Sequence, residues 1–394
     1  MTAFGLGVIG LGMAGATMVR AAARYDGVVI VAGADPHAAP REAFARDFNA
    51  RAYADAAALV EDKAVDVVYI ATPHQFHAAH AVMAAERGKH VILEKPMALT
   101  LADCDAIIGA AERAKVHLVV GHTHAFDPAV REMRRLIASG ALGALGMIAS
   151  WNYTNYLYRP RRPEELDTCK GGGILFNQVP HQIDTVRLLG GGLVTSVRAQ
   201  AGRLDPARPT EANCAAFLEF ADGVPATLVY SGYDFFDTDE LHFWISERGA
   251  PKMPAYGAAR RALLARKREG AEEAALRTEL SGYGGKDEDA PPHQPHFGLT
   301  VATCARGDLR ASADGLFVYG EDGRREIALP PGGKYSGRHT VLDDMRAAIA
   351  SGQAPVHDGR WGKATVEVAL AIQQSARERR EVTLAHQVGA GAAK

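Results

Sequence analysis

Cysteine is scarce in this 394-residue chain: four residues, Cys104, Cys169, Cys214 and Cys304, with no Cys-x-x-Cys pair among them. Such spacing excludes a disulfide scaffold and a structural zinc finger, and fits a reducing cytoplasm. Long hydrophobic runs are also missing. No stretch approaches the roughly 18 apolar residues of a membrane span, and no basic segment ahead of an apolar one marks a signal peptide near Met1. Neither sign of charge dominates: 44 Lys+Arg against 46 Asp+Glu leave a net charge of -2, which removes any global reason to bind nucleic acid or an anionic membrane. A charged ligand must be met by a local patch. What remains, 47% hydrophobic and 23% charged residues, is ordinary for a globular protein, and the length suits two domains.

Across the first 120 residues, continuous apolar runs at Phe4–Ile9, Val28–Ala34, Val65–Ala71, His90–Leu93 and Val116–Val120 alternate with helical stretches such as Ala14–Tyr25, Ala38–Asn49 and Phe76–Arg87. Unalternated apolar strands belong to a parallel sheet covered on both faces, so this part reads as an α/β, doubly wound Rossmann domain spanning 1–124. Beyond it a helix near Pro128–Ser139 leads into alternating runs at Gly146–Tyr153, Val194–Gln200, Ala215–Phe220, Pro225–Tyr230 and His242–Ser246. These predict a large, open, mainly antiparallel sheet in a second α/β domain, 125–388, for substrate binding and oligomerisation. A charged insertion is expected at about 250–295, a hairpin around Asp322-Gly323, closing helices at about 339–380 and a flexible tail at 389–394.

Three constellations carry chemistry. Gly10-Leu11-Gly12-Met13-Ala14-Gly15 follows the first strand and opens a helix. Its glycines suit a tight turn, close approach of backbone to a pyrophosphate, and close helix–strand packing. Asp35, twenty residues after Gly15 at the end of the second strand, suits the adenosine ribose hydroxyls and favours NAD over NADP. Thr72, Pro73 and His77 close the third strand, and Glu94-Lys95-Pro96 the fourth; ligands of an open parallel sheet sit at those carboxyl ends, where a lysine can serve as base to an alcohol. The third constellation is Gly171-Gly172-Gly173 followed by Asn177, His181 and Asp184 at i, i+4 and i+7 on one helical face.

Together these motifs resemble the Gfo/Idh/MocA family, and the resemblance covers nearly the whole chain outside about 250–295. It implies hydride transfer between a nicotinamide and a hydroxyl-bearing carbon, with no metal, in a homodimer or homotetramer. Lys95 falls on the family's Glu-Lys-Pro lysine and His181 on its catalytic histidine. Where the family commonly has Asp four residues before that histidine, this chain has Asn177, so proton transfer is expected to rest on Lys95 and His181. His122 and His124 also depart from the family's usual residues. Both are read as substrate contacts, with polar loop filling as the alternative, which weighs more for His124.

Thr72–His77, the segment Tyr158 to Leu166, Asn177–Asp184 and His296-Phe297-Gly298 resemble, more narrowly, the phthalate dihydrodiol (4,5-dihydroxyphthalate) dehydrogenase branch. Phthalate-type substrates carry carboxylates, and Arg159, Arg161 and Arg162 offer bidentate donors. Tyr153, Tyr156 and Tyr158 beside them suit an unsaturated ring or simply pack in the sheet. The expected function is oxidation of a carboxylated cis-dihydrodiol to a catechol by NAD. A polyol, sugar or inositol dehydrogenase, and an NAD-binding sensor without activity, are the alternatives.

Overall fold

The computed structural model describes residues 3–281, 283, 290–330 and 333–391. The chain forms two compact units, one built from 1–122, 278–288 and 338–366, the other from 123–277, 289–337 and 367–394.

The first unit runs β1 (Phe4–Ile9), α1 (Met13–Ala22), β2 (Val28–Ala34), α2 (Ala38–Phe48), β3 (Arg51–Tyr53), α3 (Ala56–Val60), β4 (Val67–Ile70), α4 (His77–Glu86), β5 (His90–Leu93), α5 (Leu101–Ala114) and β6 (Leu118–Val120). Among the described residues its strands pair in parallel in the order β3-β2-β1-β4-β5-β6. Every residue of β1 and β4 is buried, as strands covered on both faces must be. Strand order reverses between β1 and β4, and there the glycine loop and Thr72 emerge at the carboxyl ends. The three-residue edge strand β3 is exposed or half-buried throughout and carries no apolar run, so the sequence gives no sign of it.

The closing segment departs from expectation. Residues 338–366, assigned from sequence to the second domain, belong to the first unit. Tyr25 Oη donates to Asp343 Oδ1 (2.5 Å), Arg346 Nη1 to Asp26 O (3.0 Å), and the Val120 N–H to His357 O (2.8 Å). A Cβ on Gly359 would lie 2.7 Å from Leu118 Cδ2, and one on Gly362 2.7 Å from Val120 Cγ2. These glycines let the helix lie directly on β6.

The second unit contains α6 (Pro128–Ala138), β7 (Leu145–Tyr153), α7 (Ile174–Asn177), α8 (Val179–Leu189), β8 (Val194–Gly202), β9 (Asn213–Phe220), β10 (Pro225–Ser231), α9 (Ala258–Arg268), the first five residues of α10 (Glu273–Ser281), β11 (Leu299–Cys304), β12 (Gly307–Ala311), β13 (Gly315–Gly320) and β14 (Gly323–Ala328). After helices α11 (Ser336–Ser351) and α12 (Gly359–Glu378), β15 (Val382–Thr383) completes the sheet order β14-β13-β12-β11-β7-β10-β9-β8-β15. Its pairs are antiparallel except β7 with β10. In β9 the buried positions alternate, Cys214, Ala216, Leu218 and Phe220. Every residue of α8 is buried, and its Gln182 amide donates to Ser150 Oγ and Val229 O, tying the helix to β7 and β10.

Three further expectations are corrected. His242–Ser246 is not a strand: a 3-10 turn over Thr238–His242 runs into positive φ at Phe243 and Trp244, which ends any extended run. The charged insertion is not simply exposed. Leu263 of α9 and Leu276 of α10 are buried with Leu157, Tyr158, Ala212 and Tyr233, while Arg266, Lys267, Arg268 and Glu269 are exposed and Lys267 pairs with Glu273. The rest of that segment, 282 and 284–289, lies outside the described residues. The tail is held as far as Ala390, whose N–H donates to Gly191 O (2.9 Å), after the buried Arg187 has bonded Gln387 Oε1 and Val388 O; 392–394 lie outside the described residues. Among the described residues no helix is long and apolar enough to cross a membrane.

Candidate active site

In the first unit, the glycine loop has the geometry that a dinucleotide requires. Gly10 has φ +92°, and a Cβ there would lie 2.6 Å from Ala71 O. A Cβ on Gly15 would lie 1.8 Å from Gly10 O, whereas one on Gly12 would meet nothing within 4 Å. Gly10 and Gly15 are thus needed by the fold, and Gly12 leaves open space at the loop. No side chain caps α1 and its first turn holds no acidic residue, so the N–H groups of Met13 and Ala14 begin a helix end suited to a phosphate. Asp35 is fixed by backbone: Oδ2 accepts from the Leu11 N–H and Oδ1 from the His37 N–H, both at 2.9 Å. Each oxygen keeps a further lone pair for a ribose hydroxyl. The residues fit a nicotinamide adenine dinucleotide. Arg41, missed in the sequence because it sits one helical turn inside α2, donates to Asp35 O (2.8 Å).

The strand ends beyond the loop are braced internally. His77 is fully buried, with Nδ1 2.8 Å from Pro96 O and Nε2 3.0 Å from Thr72 O. Burial pushes its pKa below the usual histidine value, against the pull of the two carbonyls. The imidazole is therefore a strut between the ends of β4 and β5, one residue from Lys95. Thr72 turns its hydroxyl to His80 Nδ1 (3.1 Å), and Pro73 precedes the turn that opens α4. Glu94 is buried, accepts from Tyr69 Oη and has the Arg338 guanidinium at 3.8 Å. His77 and Glu94, expected as cofactor contacts, hold the frame in which the half-buried Lys95 is presented. His122 follows β6 and is half-buried.

In the second unit, the glycine run turns the chain into α7 and α8. Gly173 has φ +74°, and a Cβ there would lie 2.2 Å from Thr210 Oγ1. Asn177 Nδ2 donates to Gly171 O (2.9 Å) and Gly173 O (2.8 Å). Only an amide can give both hydrogens, so asparagine at 177 closes this turn, a task a carboxylate cannot perform. One turn on, His181 is 9% exposed, its ring 4.9 Å from His124 (edge-on) and 4.9 Å from Phe297. Asp184, buried, accepts from Thr123 Oγ1 and orients this helix. His124 stacks on Phe297 at 4.7 Å and its Nδ1 lies 2.6 Å from the buried Asp127 Oδ2. His124, for which the sequence favoured loop filling over a substrate contact, is part of this cluster. Asp127 was missed as a participant, and Phe297, noted in the sequence only within His296-Phe297-Gly298, was given no role, because nothing local joins it to His124 across more than 100 residues.

The arginine cluster separates into distinct roles. Arg161 is buried, its guanidinium 3.8 Å over the Tyr156 ring and bonded to Tyr156 O, with Glu165 at 3.4 Å. Tyr156, itself buried, donates to Gly173 O. Arg162 lies at the surface, 3.6 Å from both Glu164 and Glu165. These three were expected at the substrate, and instead Arg161 and Tyr156 brace the segment while Arg162 pairs outward. Tyr158 donates to Asp205 and carries Arg260 over its ring, and Tyr153 packs on Phe236. Arg159 differs. Its Nε donates to Asn155 Oδ1 (2.7 Å), its Nη1 lies 3.9 Å from Glu247, and its side chain remains 39% exposed. Burial works to raise the Glu247 pKa, but Arg159, His124, Arg248 and His296 outweigh it and hold the carboxyl below its usual value.

Comparison with known proteins agrees with these features. Residues 4–122 match the oxidoreductase family with an NAD-binding Rossmann fold, and residues 130–247 match the GFO/IDH/MocA C-terminal domain. The chain is 39% identical over 376 residues, 93% of each protein, to 1-carboxy-3-chloro-3,4-dihydroxycyclohexa-1,5-diene dehydrogenase of Comamonas testosteroni. It is 34% identical over 209 residues, 52% of this chain and 59% of the relative, to inositol 2-dehydrogenase 2 of Saccharopolyspora erythraea. A solved structure from Bordetella bronchiseptica RB50 superposes with a TM-score of 0.93 at 46% identity, covering 97% of this chain and all of that one. The chain belongs to the Gfo/Idh/MocA family and is an NAD-binding dehydrogenase of that family.

Proposed function

We propose that the protein oxidises a carboxylated cis-dihydrodiol of a six-membered ring to the corresponding catechol, with NAD as acceptor. The observation that carries this reading is Arg159: a part-exposed guanidinium beside Glu247, in the same unit as the His124, His181 and Phe297 rings. A guanidinium matches a substrate carboxylate bidentately, and flat rings match an unsaturated six-membered ring. The relative from Comamonas testosteroni, named for a carboxylated diene diol, supports the reading. Asp35, with both oxygens set by backbone donors, favours the unphosphorylated ribose of NAD.

A nicotinamide bound here would supply the acceptor for the hydride that leaves the carbinol carbon. Gly10, Gly12, Gly15 and the start of α1 would hold its pyrophosphate, and Asp35 its ribose. Lys95, braced by His77 and Glu94 on either side of its strand end, takes the hydroxyl proton onto Nζ. His181 hydrogen-bonds the oxygen that becomes the carbonyl. Enolisation of the resulting hydroxyketone restores an aromatic ring and draws the reaction towards oxidation. The half-exposed apolar residues Met147, Trp151 and Phe217 lie on one face of the large sheet by register, and we assign that face to a second copy of the chain.

The test is reduction of NAD and NADP by purified protein with cis-dihydrodiols bearing or lacking carboxylates, and with inositol and hexoses. NADH formation with the carboxylated diols supports the assignment. Turnover of inositol or hexoses alone replaces it with a polyol dehydrogenase, and tight NAD binding with no turnover of any of them replaces it with a sensor.

A further inference from the structure

The cluster around His181 contains more proton-binding capacity than an alcohol oxidation with Lys95 as base requires. Asp127 is 1% exposed and begins α6 at the N-cap, yet no cap hydrogen bond from its side chain is formed. Its Oδ2 instead lies 2.6 Å from His124 Nδ1. A buried carboxylate at that distance fixes the imidazole tautomer with the proton on Nδ1, leaves Nε2 as the acceptor and stabilises the imidazolium. Phe297, stacked at 4.7 Å with an interplanar angle of 23°, fixes the ring plane. His181 meets this ring edge-on at a centroid distance of 4.9 Å and an interplanar angle of 63°. Two imidazoles that close cannot both be cationic without strong repulsion, so their protonation is linked. Asn177, four residues before His181, gives both amide hydrogens to backbone carbonyls and cannot take a proton.

We propose that Asp127, His124 and His181 form one proton-sharing unit in which the two rings hold a single proton between them, with His124 as the positioning residue that sets the charge state of His181. The inference rests on the assignment of His181 to the substrate oxygen. In the unit, a proton bound by one ring excludes a second from the other, and Asp127 biases the shared proton towards His124. His181 is thereby kept neutral and able to hydrogen-bond an oxygen whose charge changes during the reaction. The proton moves between ring nitrogens while Asp127 keeps its charge, and no electrons are transferred. Charged and titratable groups near the unit include Asp184 on α8, Arg131 on α6, whose backbone N–H donates to Asp127 O, Tyr230, whose ring stacks on Phe297, Glu247 with Arg159, and His296 next to Phe297.

The account predicts shifts of opposite sign. Asp127→Asn removes the carboxylate that stabilises the cation, so the first macroscopic pKa of the pair falls by about one unit or more. His124→Asn removes the competing ring but leaves the carboxylate, so the His181 pKa rises by a similar amount. NMR titration of the full chain with isotopically labelled histidine reads both shifts, with His181→Asn used to assign the signal, and needs no substrate. Circular dichroism and thermal melts confirm that each variant is folded, and Asp127→Glu, which keeps the charge, should restore most of the wild-type titration. The acid limb of kcat/KM on the carboxylated diol should move with the NMR values. A first macroscopic pKa of the pair that Asp127→Asn leaves unchanged or raises, or a His181 titration that His124→Asn leaves unchanged or lowers, overturns the proposal. Failure of the diol to react overturns the assigned substrate and leaves the NMR result to decide this one.

Discussion

Gly12 and Gly15 separate cofactor binding from folding, and the two positions can be set against each other quantitatively. Gly12 has φ -71° and ψ -161°, which alanine adopts readily, and its added methyl meets no protein atom within 4 Å. Reduced freedom of the unfolded chain favours alanine by about 0.4–1 kcal/mol, and the poorer N-cap opposes this by a similar amount. Gly12→Ala should therefore melt within a few degrees of wild type. The methyl does occupy the side from which a pyrophosphate approaches the loop. Losing one charge-assisted hydrogen bond there, at about 1.5–3 kcal/mol, weakens NADH binding roughly 10- to 150-fold. Gly15→Ala behaves otherwise. Its methyl would lie 1.8 Å from Gly10 O and 3.0 Å from Gly10 C, so backbone must move by more than 1 Å. Overpacking against main chain costs about 3 kcal/mol, a drop in Tm of roughly 6–12 °C for a unit of this size. Thermal melts without cofactor and titration of NADH fluorescence separate the two effects. If Gly12→Ala binds NADH within twofold of wild type, or loses as much Tm as Gly15→Ala, the loop is not the phosphate cradle described.

Other consequences can be checked in parallel. Lys95→Ala should lose at least 10²-fold in kcat, the size of a general-base contribution, while NADH affinity stays within a few-fold; a variant retaining most of its rate removes Lys95 as base. Arg159→Ala should raise KM for the carboxylated diol at least tenfold with little change for an uncarboxylated one, whereas Arg161→Ala should lower Tm because it opens the buried stack on Tyr156. Equal losses on both diols contradict the role of Arg159. At Glu165, burial works to raise the pKa, but Arg277 and Arg161 outweigh it and draw it from 4.5 down to about 2. A depressed carboxylate stabilises the fold fully above its unfolded pKa and loses that contribution as pH falls towards the folded value. Glu165→Gln should therefore cost about 3 kcal/mol at pH 7, and the difference from wild type should shrink by roughly 1 kcal/mol at pH 3.5 in urea titrations. A constant difference across that range contradicts the pairing.

The parallel sheet was legible because its strands are unbroken apolar runs and its cofactor loop is contiguous: Gly10, Gly12, Gly15 and Asp35 occupy positions whose spacing states their use. Lys95 and His181 stand in motifs of the same local kind, which is what singled them out in the sequence. What escaped was non-local. Arg161 reads in sequence like Arg159, and only the Tyr156 ring and Glu165 beneath it distinguish a brace from an exposed donor. Residues 338–366 carry the helical period of a closing element, but their unit is decided by two glycines that fit against Leu118 and Val120. Asn177 looked like a lost carboxylate. It is the residue type that two converging carbonyls demand.

The central claim is that the protein is a dehydrogenase whose substrate is recognised by its carboxylate. Its most direct test is kcat/KM for NAD reduction with a matched pair of cis-dihydrodiols, one carboxylated and one not. A preference of at least about 10²-fold for the acid is predicted, the value of one charge-assisted bidentate contact. Equal values for the pair, or a higher value for the neutral diol, would contradict the claim.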